Sequence, residues 1–331
     1  MTNRAGKREG GNAGKPASRM PVTRIALSTV ALAAAAAIAT PVSAQQTHLL
    51  VIQGLSGEPQ FKRQYDSTTA LVRDAARKRW NVADSNIIVL AETANPAARV
   101  ERSSRENVAA AFVALSRRVR GGDVVLVMLM GHGSGEGPAS KVNMPGVDPT
   151  AADFAAWISG LSRQTVVFVN AASGSGDFVP VLKGPGRIVV TATRSALERN
   201  ESIFAPHFAA GLASDASDGD KDGRVSVMEA FRYANREVAR VYESTKRMQT
   251  EHAQVSDSTL AARVAFGGAA SSTNPRVAAL VAERQELEAD VAALRAKKAS
   301  MPADAYDKEL ERLLLAIAEK SQAIRAAGGK P

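Results

Sequence analysis

From residue 48 onward, apolar residues arrive in short unbroken runs, separated by stretches in which they recur every three or four positions. The runs are His48-Leu49-Leu50-Val51-Ile52-Gln53-Gly54, Asn86-Ile87-Ile88-Val89-Leu90, Val124–Met130, Val166–Val169 and Arg187–Thr193. A continuous apolar run without alternation predicts a strand buried on both faces. Between the runs, residues 60–79 and 153–161 predict helices. Val108, Ala111, Phe112, Leu115 and Val119 predict another, opened by a Ser103-Ser104-Arg105-Glu106 capping box and closed by Gly121-Gly122. Strands alternating with helices predict an α/β fold, a mostly parallel sheet with helices on both faces. Such sheets gather functional groups at the carboxyl ends of their strands.

The pattern changes at both ends of this region. Gly267-Gly268 to Pro275 reads as a linker over 267–275. Beyond it, Val277, Leu280, Leu287, Val291 and Leu294 keep helical spacing. Leu310, Leu313, Leu314, Ile317 and Ile324 repeat it after a break at Ser300-Met301-Pro302. Residues 276–328 therefore predict a C-terminal amphipathic helical hairpin, with Arg284 and Lys298 interrupting its heptads. Its apolar stripe would pack on its partner helix, on the main domain, or on another copy in self-association. At the other end, basic residues up to Arg24 precede an alanine-rich run, Ile25 to Ala39, and then Pro41-Val42-Ser43-Ala44. This has the layout of an export signal over 1–44, cleaved after Ala44. The run is shorter than the roughly twenty residues of a spanning helix. The expected product is periplasmic or secreted, without a stable membrane span, and its main domain covers 45–266.

Charge and composition then narrow the chemistry. The chain of 331 residues has a formal net charge of +9, of which +5 lies in 1–44. The remainder is mildly basic. Aromatics are 5% of the chain, too few for base stacking, and the Arg117-Arg118 and Lys297-Lys298 clusters read as solvated helix faces. No nucleic-acid partner is expected. Cysteine is absent, which excludes disulfides, thiolate metal sites and a thiol nucleophile.

Residues 218–229 read Asp-Gly-Asp-Lys-Asp-Gly-Arg-Val-Ser-Val-Met-Glu. Oxygen ligands stand at loop positions 1, 3, 5, 9 and 12, with glycine at position 6, the spacing of an EF-hand calcium loop. Asp218, Asp220 and Asp222 would supply carboxylates, Arg224 a backbone carbonyl, Ser226 a hydroxyl or a water bridge, and Glu229 a bidentate carboxylate. Helices over 203–213 and 230–242 would flank the loop. An unpaired loop favours a static structural Ca²⁺ over a switch.

Two strand ends carry the remaining chemistry. The run ending at Met130 continues into Gly131-His132-Gly133, and Val166–Val169 continues into Asn170-Ala171-Ala172-Ser173-Gly174-Ser175-Gly176. A histidine can act as base for a neighbouring nucleophile, and glycines let backbone N–H groups approach an oxyanion. Here the chain resembles the caspase-like peptidases, nearest the legumain group. In that family one strand ends in His-Gly and a later one in Ala-Cys-x-Ser-Gly. His132-Gly133 and Ala172-Ser173-Gly174-Ser175-Gly176 match, with serine in place of the cysteine. The resemblance spans about 47–210. It implies His132 as base, position 173 as nucleophile, and backbone N–H groups of Gly133 and Ser173 at the oxyanion. The chain also resembles exported bacterial proteins that join this domain to a Val-Ser-x-x-Glu-Ala-Phe calcium segment, here Val225–Phe231. A serine hydroxyl usually needs a base held by a buried carboxylate, and the sequence shows none for His132. Three readings follow: a degenerate, non-proteolytic domain that binds a peptide or protein partner; a hydrolase using Ser173; or a structural assembly protein.

The export signal is directly testable. Intact-mass analysis of the exported protein should give a chain beginning at Gln45. A mass retaining residues 21–44 would contradict cleavage.

Overall fold

The computed structural model describes residues 45–267, 275–296 and 298–328, with some side chains of 275–296 left out. The expected leader, 1–44, and most of the expected linker lie outside these residues. In chain order the elements are β1 (Thr47–Gln53), α1 (Pro59–Lys78), β2 (Ile87–Ala91), β3 (Val100–Arg102), α2 (Arg105–Arg118), β4 (Val124–Met130), β5 (Gly133–Ser134), β6 (Lys141–Val142) and α3 (Ala151–Ile158). There follow β7 (Thr165–Asn170), α4 (Phe178–Leu182), β8 (Arg187–Thr191), α5 (Phe204–Ala213), α6 (Val227–Ser244), β9 (Gln254–Val255), α7 (Ser258–Arg263), α8 (Pro275–Ala296) and α9 (Ala303–Ala326).

Seven of the described strands form a sheet in the order β3-β2-β1-β4-β7-β8-β9, parallel except for the β8–β9 pair, while β5 and β6 pair apart from it. The α/β class is as the sequence predicts. Its pleat explains the unbroken apolar runs. Leu49, Val51, Leu126, Met128, Val167 and Val169 face one core with α1, α5 and α6. Leu50, Ile52, Val125, Val127, Val166 and Phe168 face the other, with α2, α3 and α4. Each such side chain contributes about 1.5–3 kcal/mol on burial, so the middle of each central strand is apolar. On the second face Phe154 stands among Phe112, Trp157, Phe168 and Phe178 with ring centroids 5.0–6.3 Å from its own.

Several local features differ from the sequence expectation. The α2 cap is Ser104, whose hydroxyl accepts from the Asn107 N–H. With asparagine at that third helical position, the expected reciprocal capping box does not form. α3 begins at Ala151, because Thr150 and Asp153 make a complete capping box there. The two-residue strand β9 is antiparallel at the sheet edge, and so short that no apolar run announced it. The run Arg187–Thr193 leaves the sheet after Thr191, and Thr193 turns its hydroxyl to Ser175 and the Gly176 N–H.

α8 and α9 form the expected hairpin. Val291, Leu294, Tyr306 and Leu313 make one cluster, and Val277, Val281 and Ile324 another. Leu314, expected in the stripe, is exposed, as is Leu315. Among the described residues no helix is long and apolar enough to cross a membrane.

The strand order reverses beside β1: β2 and β3 extend from one side of it and β4, β7 and β8 from the other. In sheets of this kind that switch opens a crevice at the carboxyl ends of the two strands. The segments after β1 and β4, Gly54–Ser56 and Gly131–Gly133, meet there.

Candidate functional site

Backbone proximity defines this crevice. The Gly54 N–H donates to the Met130 carbonyl at 2.7 Å, and the Asn143 N–H to the His132 carbonyl at 2.8 Å. A Cβ at Gly133 would stand 2.5 Å from the Ser173 carbonyl oxygen, and one at Gly176 would collide with the Arg194 carbonyl. Only glycine permits either approach. The segments after β4 and β7 are thereby clamped together, as the two glycine-flanked motifs suggested.

His132 and Ser173 share the crevice but not a hydrogen bond. Ser173 is 2% exposed, and its Oγ accepts from the Gly133 N–H at 3.3 Å. The His132 ring instead places Nε2 3.1 Å from the Ser56 carbonyl oxygen and Nδ1 3.0 Å from Oε2 of Glu201. The second contact is a close charge pair rather than a well-aligned hydrogen bond. Phe61 meets the ring edge-on at 5.5 Å. The absence of a carboxylate for His132, read from the sequence, is thus corrected. Glu201 lies far along the chain, in a loop with no motif, so nothing in the sequence tied it to the histidine.

Both ring nitrogens face oxygens that can only accept, which favours the doubly protonated imidazolium. The His132 pKa is accordingly raised, chiefly by the Glu201 carboxylate, with burial opposing. Tyr65 donates its phenol to Glu201 Oε1 at 3.1 Å, and burial together with that carboxylate drives the phenol pKa up. Other glutamates fix the surrounding loops. Glu92 takes both the N–H and the hydroxyl of Ser56, at 3.2 and 2.7 Å, which aims the Ser56 carbonyl at the ring. Buried Glu251 accepts from the Ser202 hydroxyl (2.8 Å), the Ile203 N–H (3.1 Å) and the Tyr242 hydroxyl (3.3 Å), and so holds the segment after Glu201. Desolvation raises its pKa. Glu198 pairs with His252 at 2.7 Å, while its carbonyl takes the Gly174 N–H at 2.8 Å. Ser175 is buried and bonded to Thr193.

The acidic loop lies between α5 and α6. Carboxylate oxygens of Asp218, Asp220 and Asp222 lie within 4.8 Å of one another. Lys221 and Gly223 take left-handed backbone (φ 60° and 86°), so the loop turns sharply and its N–H groups point inward. Asp218 accepts from the Asp222 and Gly223 N–H groups, Asp220 from the Asp222 N–H, and Asp222 from the Arg224 N–H. Ser226 and Glu229 form the capping box of α6. Glu229 Oε1 reaches back to the Gly219 and Asp220 N–H groups at 2.7 and 3.3 Å, and the carboxylate is not among the three clustered ones. A cavity of about 410 Å³ opens beside the loop, lined in part by Ser217, Asp220, Ser226 and Glu229. The Ser217 Oγ is buried there without a hydrogen-bond partner. Three carboxylates this close together are hard oxygen donors of the kind a cation such as Ca²⁺ takes, and the orphaned Ser217 hydroxyl lines the cavity that Asp220 also borders.

No family model and no curated protein matches this chain.

The His132–Glu201 pair has a pH signature. A histidine whose folded pKa lies above its unfolded value of 6.5 stabilises the fold fully below that value, and the contribution fades as pH rises through the folded pKa. Urea unfolding of wild type and Glu201→Gln should therefore differ most near about pH 5.5 and least near about pH 8.5. A gap that is independent of pH, or that widens with pH, would contradict the pairing.

Proposed function

We propose that the protein is an exported, calcium-binding α/β module of the caspase-like type that binds a peptide or protein partner without cleaving it. The observation that carries the reading is the engagement of His132. A general base must present an unprotonated nitrogen to the nucleophile, yet Nδ1 and Nε2 both stand against acceptors. Ser173 is buried, and its Oγ takes the Gly133 N–H, the group that the family resemblance assigns to the oxyanion. Serine in place of cysteine fits the same reading, since its hydroxyl is far less acidic than a thiol. Leu197, 78% exposed in the loop whose Glu198 carbonyl holds Gly174, offers a partner an apolar contact.

Calcium belongs to this reading through the EF-hand spacing of 218–229, with Asp218, Asp220 and Asp222 as carboxylate ligands. Glu229 would join them by releasing the Gly219 and Asp220 N–H groups. The ion would supply charge neutralisation for four acidic side chains in one loop, and so stabilise the α5–α6 junction.

One observation favours the hydrolase alternative: Glu201 is the kind of orienting carboxylate that a serine nucleophile requires. That chemistry needs a histidine nitrogen turned from its present acceptor towards Ser173. A serine-directed phosphonate followed by peptide mapping separates the two. The binding-module reading expects no adduct at Ser173 and no hydrolysis of peptide substrates. It also expects Ser173→Cys to react faster than wild type with thiol-directed peptide electrophiles. Labelling of wild-type Ser173, together with turnover that Ser173→Ala abolishes, would establish the hydrolase instead.

A further inference from the structure

The hairpin α8–α9 is held together by its own side chains. Among the described residues, neither of its two apolar clusters includes one from the α/β body. Within α8, Arg284 follows Val281 and precedes Leu287 on the inward stripe, and it is only 5% exposed. A guanidinium removed so far from water is retained where a fixed anionic partner offsets its desolvation. One such partner is in the acidic loop: Nη2 of Arg284 donates to Oδ2 of Asp222 at 3.2 Å. The other oxygen of the same carboxylate accepts from the Arg224 N–H at 2.7 Å. The residue that breaks the heptad pattern thus ties the hairpin to the loop.

A cation seated among Asp218, Asp220 and Asp222 must draw on Asp222. It would set two positive charges against the guanidinium that holds that carboxylate. We propose that Arg284 is a calcium-sensitive latch, which docks the hairpin on the loop and is loosened when calcium takes Asp222. The proposal rests on the calcium reading of the loop. Coupling between two sites is reciprocal, so an ion that weakens the Arg284 contact is itself bound more weakly because of that contact. Calcium would then govern how firmly α8–α9 lies on the body, and with it whether the exposed Leu314 and Leu315 face is free to move.

Calorimetric titration of the full chain with calcium chloride, carried to millimolar because loops of this type outside the cell can be weak, tests the latch directly. Arg284→Gln should bind calcium about tenfold more tightly than wild type. Arg284→Met, which continues the apolar stripe at similar volume, should do the same and guards against a fold lost to an unpaired polar group. Hydrogen exchange gives a second readout. Amides of 276–326 in wild type should lose protection when calcium is added, whereas in either variant they should start less protected and change little. Calcium binding by wild type that is unchanged or weakened in both variants would overturn the latch and leave the calcium site standing. No binding by any of the three proteins would remove the calcium reading and the latch with it.

Discussion

A carbonyl and a carboxylate can only accept hydrogen bonds, and the His132 imidazole lies between one of each. That constraint orders the whole carboxyl edge of the sheet. The ring is reachable by Ser56 only because the strand order reverses beside β1, and by Glu201 only because the loop before α5 folds back over α1. Glu92 fixes the carbonyl, Tyr65 shares the carboxylate, and Glu251 secures the residues that follow it. Glu198 performs the equivalent service for Gly174. Histidine, serine and the Gly133 N–H stand within one crevice, the ring against Ser56 and Glu201 and the serine hydroxyl against the Gly133 N–H.

The acidic loop follows the same logic of acceptors and donors. Its aspartates fold the turn by accepting the loop's own N–H groups, and Glu229 both caps α6 and reaches back across the loop. The arrangement is preorganised by hydrogen bonds before any ion is considered, and Arg284 is bound to one of the same carboxylates. Loop and hairpin are therefore one electrostatic unit, although a linker separates them in sequence.

The sheet was legible because burial on both faces demands unbroken apolar runs, and Val124–Met130 could be little else. The two motifs at the strand ends were legible for a similar reason, as the glycines that let those segments approach must fall at fixed places. What escaped was whatever depends on long-range contact between residues without local pattern. Glu201 and Ser56 reach His132 from loops rich in ordinary polar residues. Arg284 read as a flaw in a stripe until its partner, 62 residues earlier in the chain, was in view. The strand β9 and the shift of the α2 cap to Ser104 were hidden by brevity and by a one-residue ambiguity between adjacent serines.

The account stands or falls on the protonation of one ring. Nitrogen-15 NMR of histidine-labelled protein across a pH titration, with His132 assigned by the loss of its signals in His132→Ala, reads the state of Nδ1 and Nε2 separately. The arrangement between Ser56 and Glu201 predicts that the doubly protonated imidazolium persists to a higher pH than in an ordinary histidine. A ring that loses its second proton at or below the ordinary histidine value would leave His132 with a bare nitrogen, able to act as a base. The inert site inferred from the ring's contacts with Ser56 and Glu201 would then be wrong.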